Sequence, residues 1–245
     1  MKKRYLKHSP KKVVLLGMGP SVIDYMGETL TQEFSPDFCD EVWSINMASN
    51  CFHTDVVFWL DDLQQQKDFK PGLMEVLKRR NKPVITCKAY PDIVPKSYDY
   101  PLDQVSRIST PIFGKPYLNN GVAMAIGYAI YKEVETLKLY GCDFTYPNRN
   151  FAETGRACVE SWLTLAIAKN DMAVQIAPKT SLFDAAADGG IYGYSEQPTV
   201  DLGNGTKLKY VSKSEAKTLA SYAPEDSSGK KGIGGSKNKG GTVSK

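Results

Sequence analysis

Five strand ends in this chain carry residues that could do chemistry: Gly17-Met18-Gly19-Pro20-Ser21, Asn46, Asp61-Asp62, Asp143 and Lys179-Thr180-Ser181. The first group is the most specific. A glycine pair after a strand lets the backbone turn tightly and approach a ligand, Pro20 suits a first helical turn, and Ser21 offers a hydroxyl there. The free amides of such a helix start attract phosphate. Val22 stands where the GxGxxG dinucleotide fingerprint has its third glycine, which disfavours NAD. The competing reading is a plain strand-to-helix turn.

The other strand ends also carry two readings each. Asp61 and Asp62 could hold Mg²⁺ on a diphosphate or bond a ribose, because hard cations prefer carboxylate oxygens; otherwise one caps the next helix and the other is solvated. Asn46 could read a base or ribose with an amide that both donates and accepts, or it ends its strand in a turn. Asn120 and Gly121, after Asn119, either cap a helix or add a second anion-binding helix end. Asp143 could anchor a hydroxyl of a sugar or nucleotide, or cap a loop.

Two histidines, His8 and His53, leave little scope for metal or triad chemistry. His8 falls in a basic segment and is expected to be solvated. His53 and Cys51 are two ligands without a third and fourth, and no GxSxG is present. The five cysteines form no CxxC pair, which argues against a disulfide framework or a thiolate zinc site.

The elements that must position these residues alternate. Apolar runs at 13–16, 42–45, 56–60, 83–87, 136–140 and 173–177 are apolar throughout, the mark of parallel strands covered on both faces. Helical spacing occupies 73–80, 121–134 and 154–169. Strands alternating with helices predict an α/β doubly wound fold, whose ligands bind at the carboxyl ends of the strands. The Pro- and Tyr-rich stretch 90–116 reads as irregular. The expected organisation is a basic N-terminal arm (1–12), a nucleotide-binding body (13–198), a C-terminal hairpin or extension (199–222) and a disordered Gly/Ser/Lys tail (223–245).

Hydrophobic residues at 42% and charged residues at 24% are globular values and exclude collagen-like, coiled-coil and wholly disordered classes. The net charge of +4 is uneven: residues 1–12 carry six Lys or Arg and no acid, residues 224–245 carry five Lys against two acids, and the body between them stands at −5. An acidic body makes nucleic acid an unlikely partner except through the basic tails. No apolar run reaches the roughly 18 residues of a membrane span, and the start lacks a signal-peptide core. The expectation is a chain with no membrane span that stays in the reducing cytoplasm.

VVLLGMGPS near the start and NNGVAMAIGYAIYKEVETLKLYGCDF at 119–144 resemble the Rossmann-like group that contains the bacterial family 42 sialyltransferases, and also the 6-hydroxymethylpterin diphosphokinase MptE-like proteins. The likeness covers roughly 12–184 and implies a single Rossmann-like, doubly wound, mostly parallel sheet with flexible basic ends. It implies Gly17, Gly19 and Ser21 beside a phosphate, Asn46 beside the nucleotide, Asn120 and Gly121 at a second phosphate-facing turn, and Asp143 and Tyr146 near the nucleotide or donor group. Small proteins of this kind also occur in phage genomes, where the host cytoplasm would be the compartment.

The departures matter too. FWLDD supplies Asp61 and Asp62 where the sialyltransferases have an asparagine, which looks more like the metal-using side. The histidine that the sialyltransferases use as general base is missing, and Glu153 occupies that region, either as the base or as a helix-capping carboxylate. The leading expectation is a glycosyltransferase with a nucleotide-sugar donor, a hydroxyl acceptor, Glu153 as base, and Lys179 or a metal on the departing phosphate. The alternatives are a diphosphotransferase using ATP with Mg²⁺ on Asp61 or Asp62, and a non-catalytic nucleotide-binding or phage assembly protein.

Overall fold

Within Lys12–Leu16 (β1), Val13, Val14, Leu15 and Leu16 are each at most 1% exposed. A strand buries both faces in this way only at the centre of a sheet covered on both sides. A computed structural model of the chain describes residues 3–31, 38–69, 71–183, 199–201 and 207–209, in two units, Met1–Phe183 and Asp184–Lys245.

In the first unit β1 is followed by α1 (Val22–Thr31), β2 (Glu41–Ile45), α2 (Ala48–Cys51), β3 (Val56–Phe58), α3 (Leu63–Phe69), α4 (Pro71–Arg80), β4 (Val84–Thr86) and β5 (Ser97–Asp99). Then come α5 (Leu102–Phe113), α6 (Gly121–Tyr131), β6 (Thr136–Tyr140), α7 (Arg149–Asn170) and β7 (Ala173–Ile176). The seven strands form one parallel sheet in the order β5-β4-β3-β2-β1-β6-β7. This is the expected α/β doubly wound fold.

The period of two along β1 assigns the helices to faces. Val13 and Leu15 join Ile126, Cys158 and Trp162 of α6 and α7 in one cluster, while Val14 and Leu16 join Tyr25 of α1 and Ala48 of α2 in another. Leu63, Leu73, Met74 and Leu77 of α3 and α4 cover Val57 and Val84. The chain builds outward from β1 to β5, then crosses back to lay β6 on the other side of β1. The β1/β6 junction is therefore the switch point, where a crevice opens at the strands' carboxyl ends.

Two expectations are corrected here. The stretch 90–116 contains β5 and α5 rather than irregular chain. A three-residue strand is too short to display a period, and Pro111 inside α5 obscures a helix whose Val105 and Ser109 are buried. Gly114, left-handed at φ 70°, closes that helix with its amide on the Thr110 carbonyl. Helix α7 also begins at Arg149, five residues earlier than its apolar spacing suggests, because the Asn148 side chain accepts from the Phe151 amide and starts the first turn.

The basic residues 3–12 are docked on the body. The Arg4 amide donates to Asp99 and the Asp99 amide to the Arg4 carbonyl, Lys132 donates to the Leu6 carbonyl, and the Lys11 and Lys12 amides both donate to Asp40. His8 is not solvated: its side chain is 12% exposed, with Nδ1 2.9 Å from the Glu41 carboxylate and Nε2 2.9 Å from the Tyr128 hydroxyl. The acid that fixes it begins β2, so its partner is invisible in the arm's own sequence.

In the second unit Thr199–Asp201 (β8) pairs antiparallel with Lys207–Lys209 (β9). The expected tail at 223–245 lies outside the described residues. Among the described residues, no helix is long and apolar enough to cross a membrane.

Candidate functional site

At the switch point lies a hollow of about 380 Å³. Its walls are the loop after β1 (Gly17 to Pro20), the end of β2 (Ile45 to Met47), the loop after β6 (Gly141 to Tyr146) and Val122 of α6.

The β1 and β6 loops are joined directly. Gly17 donates to the Tyr140 carbonyl at 2.8 Å, Gly19 to the Gly141 carbonyl at 2.7 Å, and Gly141 to Ser21 Oγ at 2.9 Å. The Ser21 amide donates to Asp143 Oδ2 at 2.7 Å. The glycines exist for this contact. A Cβ on Gly17 would lie 2.1 Å from the Gly141 oxygen, and one on Gly19 would lie 2.5 Å from Asp143 Oδ2. Gly141 itself is left-handed at φ 65°.

A phosphate at this turn would have to share it with the protein's own groups. Gly17 and Gly19 do line the hollow. Ser21, however, is fully buried with its hydroxyl already bonded, and its helix-start amide is taken by the protein's own carboxylate. An incoming phosphate would meet the charge of Asp143 where the motif promised only amides.

Asp143 is the unusual group. It is 8% exposed and lines the hollow, yet its Oδ1 has no hydrogen-bond partner among the described residues. A buried carboxylate oxygen left unpaired costs about 1–3 kcal/mol or more. Burial pushes the neighbouring Cys142 thiol up to about 12, with the Asp143 charge adding to it, so that thiol is inert.

Asn46 also lines the hollow. It sits left-handed at φ 49°, a conformation asparagine tolerates, and its carbonyl accepts from the Ser49 amide and hydroxyl. Its exposed side-chain amide bonds no described residue and remains available to a ligand. Asn120 does not: its Oδ1 caps the Ala123 amide at 2.9 Å, and its Nδ2 donates to Asn119 and Gly155. Gly121 packs against Ile45. Neither Asn120 nor Gly121 lines the hollow, so the second cradle is a capped helix start.

Tyr146 forms a shared wall. It is 50% exposed, stands edge-on to Phe151 with ring centroids 5.1 Å apart, and lines both this hollow and an adjoining one of about 390 Å³. The second hollow is lined by Phe144, Tyr146, Pro147, Arg149, Ala152, Glu153 and Arg156. Glu153 thus lies beside the switch point, its side chain 61% exposed and 3.9 Å from Arg149. Sequence reasoning missed Arg149 and Arg156. Their spacing with Glu153 on α7 was the available signal, but the hollow that gives it meaning is made by the loop after β6.

Asp61 and Asp62 line neither hollow. Asp62 Oδ1 caps α3 through the Gln64 amide at 2.8 Å, and Asp61 is exposed. Among the described residues, no His, Cys, Asp or Glu completes a group of three with this pair. The expected Mg²⁺ ligands are thus a pair of carboxylates at a strand end, apart from both hollows. Lys179 is likewise committed elsewhere, to Asp24 at 3.4 Å.

No protein-family model matches the chain, and neither does any curated protein. Among solved structures it is similar to the sialyltransferase CstII from Campylobacter jejuni with cytidine-5'-monophosphate, at 14% identity over 70% of this chain and 82% of that one, TM-score 0.47. The same enzyme with CMP-3FNeuAc gives 16% identity over 86% and 99%, TM-score 0.47. The sialyltransferase CST-II with trisaccharide acceptor and CMP gives 16% over 70% and 83%, TM-score 0.45. Likeness at this level carries no argument about activity, which rests on the chain's own geometry.

Proposed function

We propose that the chain is a transferase that takes a nucleotide-activated sugar in the switch-point hollow and passes the sugar to a hydroxyl acceptor. The observation that carries this reading is the buried Asp143 carboxylate, whose unpartnered Oδ1 calls for a hydroxyl or amino donor such as the nucleoside part of the donor supplies. Asn46 offers an amide to the same ligand, and Tyr146 an aromatic wall. In the transfer, the bond from the anomeric carbon to the departing phosphate oxygen breaks as the acceptor oxygen bonds that carbon. The acceptor proton passes to Glu153 in the adjoining hollow.

The test is calorimetry with CMP, UMP, GMP and AMP, followed by transfer and hydrolysis assays with the corresponding nucleotide sugars. Binding of one nucleotide that Asp143→Ala abolishes, with turnover that Glu153→Gln lowers by about 10²-fold or more, supports the proposal. Binding without turnover on any donor would make the chain a non-catalytic nucleotide-binding protein. The Mg²⁺-dependent diphosphotransferase reading would rest on Asp61, since Asp62 caps α3, and it is the less favoured because neither acid lines a hollow.

A further inference from the structure

The two hollows differ in charge. Among the described residues, the only charged side chain lining the switch-point hollow is Asp143. The adjoining hollow carries Arg149 and Arg156 against Glu153 alone. A nucleotide has the matching asymmetry: neutral hydroxyl donors at one end and an anionic phosphate at the other.

The arginines are also under-used. Arg149 Nε stands 3.9 Å from Glu153 and Arg156 Nε stands 3.7 Å from Glu160, too far for hydrogen bonds. Among the described residues each guanidinium has only this loose ion pair, which leaves most of its donors to bond phosphate oxygens. In the glycine turn the amides of Gly17, Gly19 and Ser21 are already bonded within the protein, the last to Asp143.

We infer that Arg149 and Arg156 hold the phosphate of the bound nucleotide in the hollow behind Tyr146, and that the glycine turn does not. This rests on the nucleotide reading proposed above. The ligand then runs from Asp143 past Phe144 and Tyr146, the two residues that line both hollows, to the first turns of α7. Glu153 lies on that same stretch of α7, so the leaving phosphate and the proton acceptor share one hollow.

Calorimetry with CMP, UMP, GMP and AMP, each against its own nucleoside, tests the inference on the full chain. Wild type should bind the preferred monophosphate at least about tenfold tighter than the nucleoside. In R149Q/R156Q that ratio should fall towards one while nucleoside affinity is unchanged, and R149K/R156K should recover part of it, since the charge returns without the fork. Both side chains are at least 40% exposed, so folding should survive, and thermal melting checks it. An unchanged ratio in R149Q/R156Q, with binding still lost in Asp143→Ala, overturns this inference and leaves the functional reading standing. Absence of nucleoside and nucleotide binding in wild type overturns both.

Discussion

The Ser21 amide donates to Asp143 Oδ2 at 2.7 Å across 122 residues of sequence. One carboxylate oxygen thus closes the start of α1 as a bound anion would, and the other is left without a partner. The glycine motif and the acid that follows β6 are two halves of one structure. What looks like an empty phosphate cradle in the first loop is a turn filled from within.

Replacing Asp143 by Asn keeps an acceptor for the Ser21 amide but removes the charge that strengthens the bond, and should cost about 1 kcal/mol of folding stability. Urea unfolding measures it. A loss below a few tenths of a kcal/mol would mean that the carboxylate does not hold the two loops together.

Gly19→Ala should cost about 1–3 kcal/mol, because its methyl would stand 2.5 Å from Asp143 Oδ2 and 2.9 Å from the Gly141 oxygen. Gly72→Ala in α4 makes the contrast, since no described residue lies within 4 Å of its added carbon. That substitution should be neutral or slightly stabilising through helix propensity. Equal melting temperatures for the two variants would contradict the packing account.

Asp40 predicts an acid dependence. Its Oδ2 accepts from the Lys12 and Lys11 amides at 2.8 and 2.7 Å, and these bonds hold its carboxyl below the ordinary value of 3.8. A folded-state value below the unfolded one means that the stabilisation is complete above the unfolded value and is lost as pH falls through the folded one. The stability gap between wild type and Asp40→Asn should therefore be constant near neutrality and close below about pH 4, in the pH dependence of urea midpoints.

Thiol reactivity should sort by burial. Cys51 and Cys87 are exposed, although partial burial also pushes up the Cys87 thiol, whereas Cys142 and Cys158 are buried with their thiols pushed up by that burial. A native-state thiol titration followed by peptide mapping should modify the first two, and the buried pair only after unfolding. Modification of Cys142 in the native protein at a comparable rate would show that the β6 loop opens.

Several elements are legible in the sequence because their cause is local. Continuous apolar runs reveal β1 and β6, since a strand buried on both faces has no polar side to show. The three- and four-residue spacing of Ala125, Ile126, Ala129 and Ile130 reveals α6, and the asparagine before it reveals the cap. These patterns also suffice for the sheet class and for the edge at which a ligand would bind. The three-residue β5 and the proline-interrupted α5 escape that kind of reading, being too short or too irregular to establish a period.

The tertiary structure alone decides which strand ends meet. Asp143 reaches the glycine turn only because the chain crosses back to place β6 beside β1, His8 is buried only because Glu41 and Tyr128 converge on it, and Arg149 and Arg156 line a hollow only because the loop after β6 stands over α7. A residue's neighbours along the chain set its local conformation. Charge, burial and hydrogen-bond supply at a site depend instead on residues from other elements, 33 positions away for Glu41 and His8 and 122 for Asp143 and Ser21, and no local pattern records them.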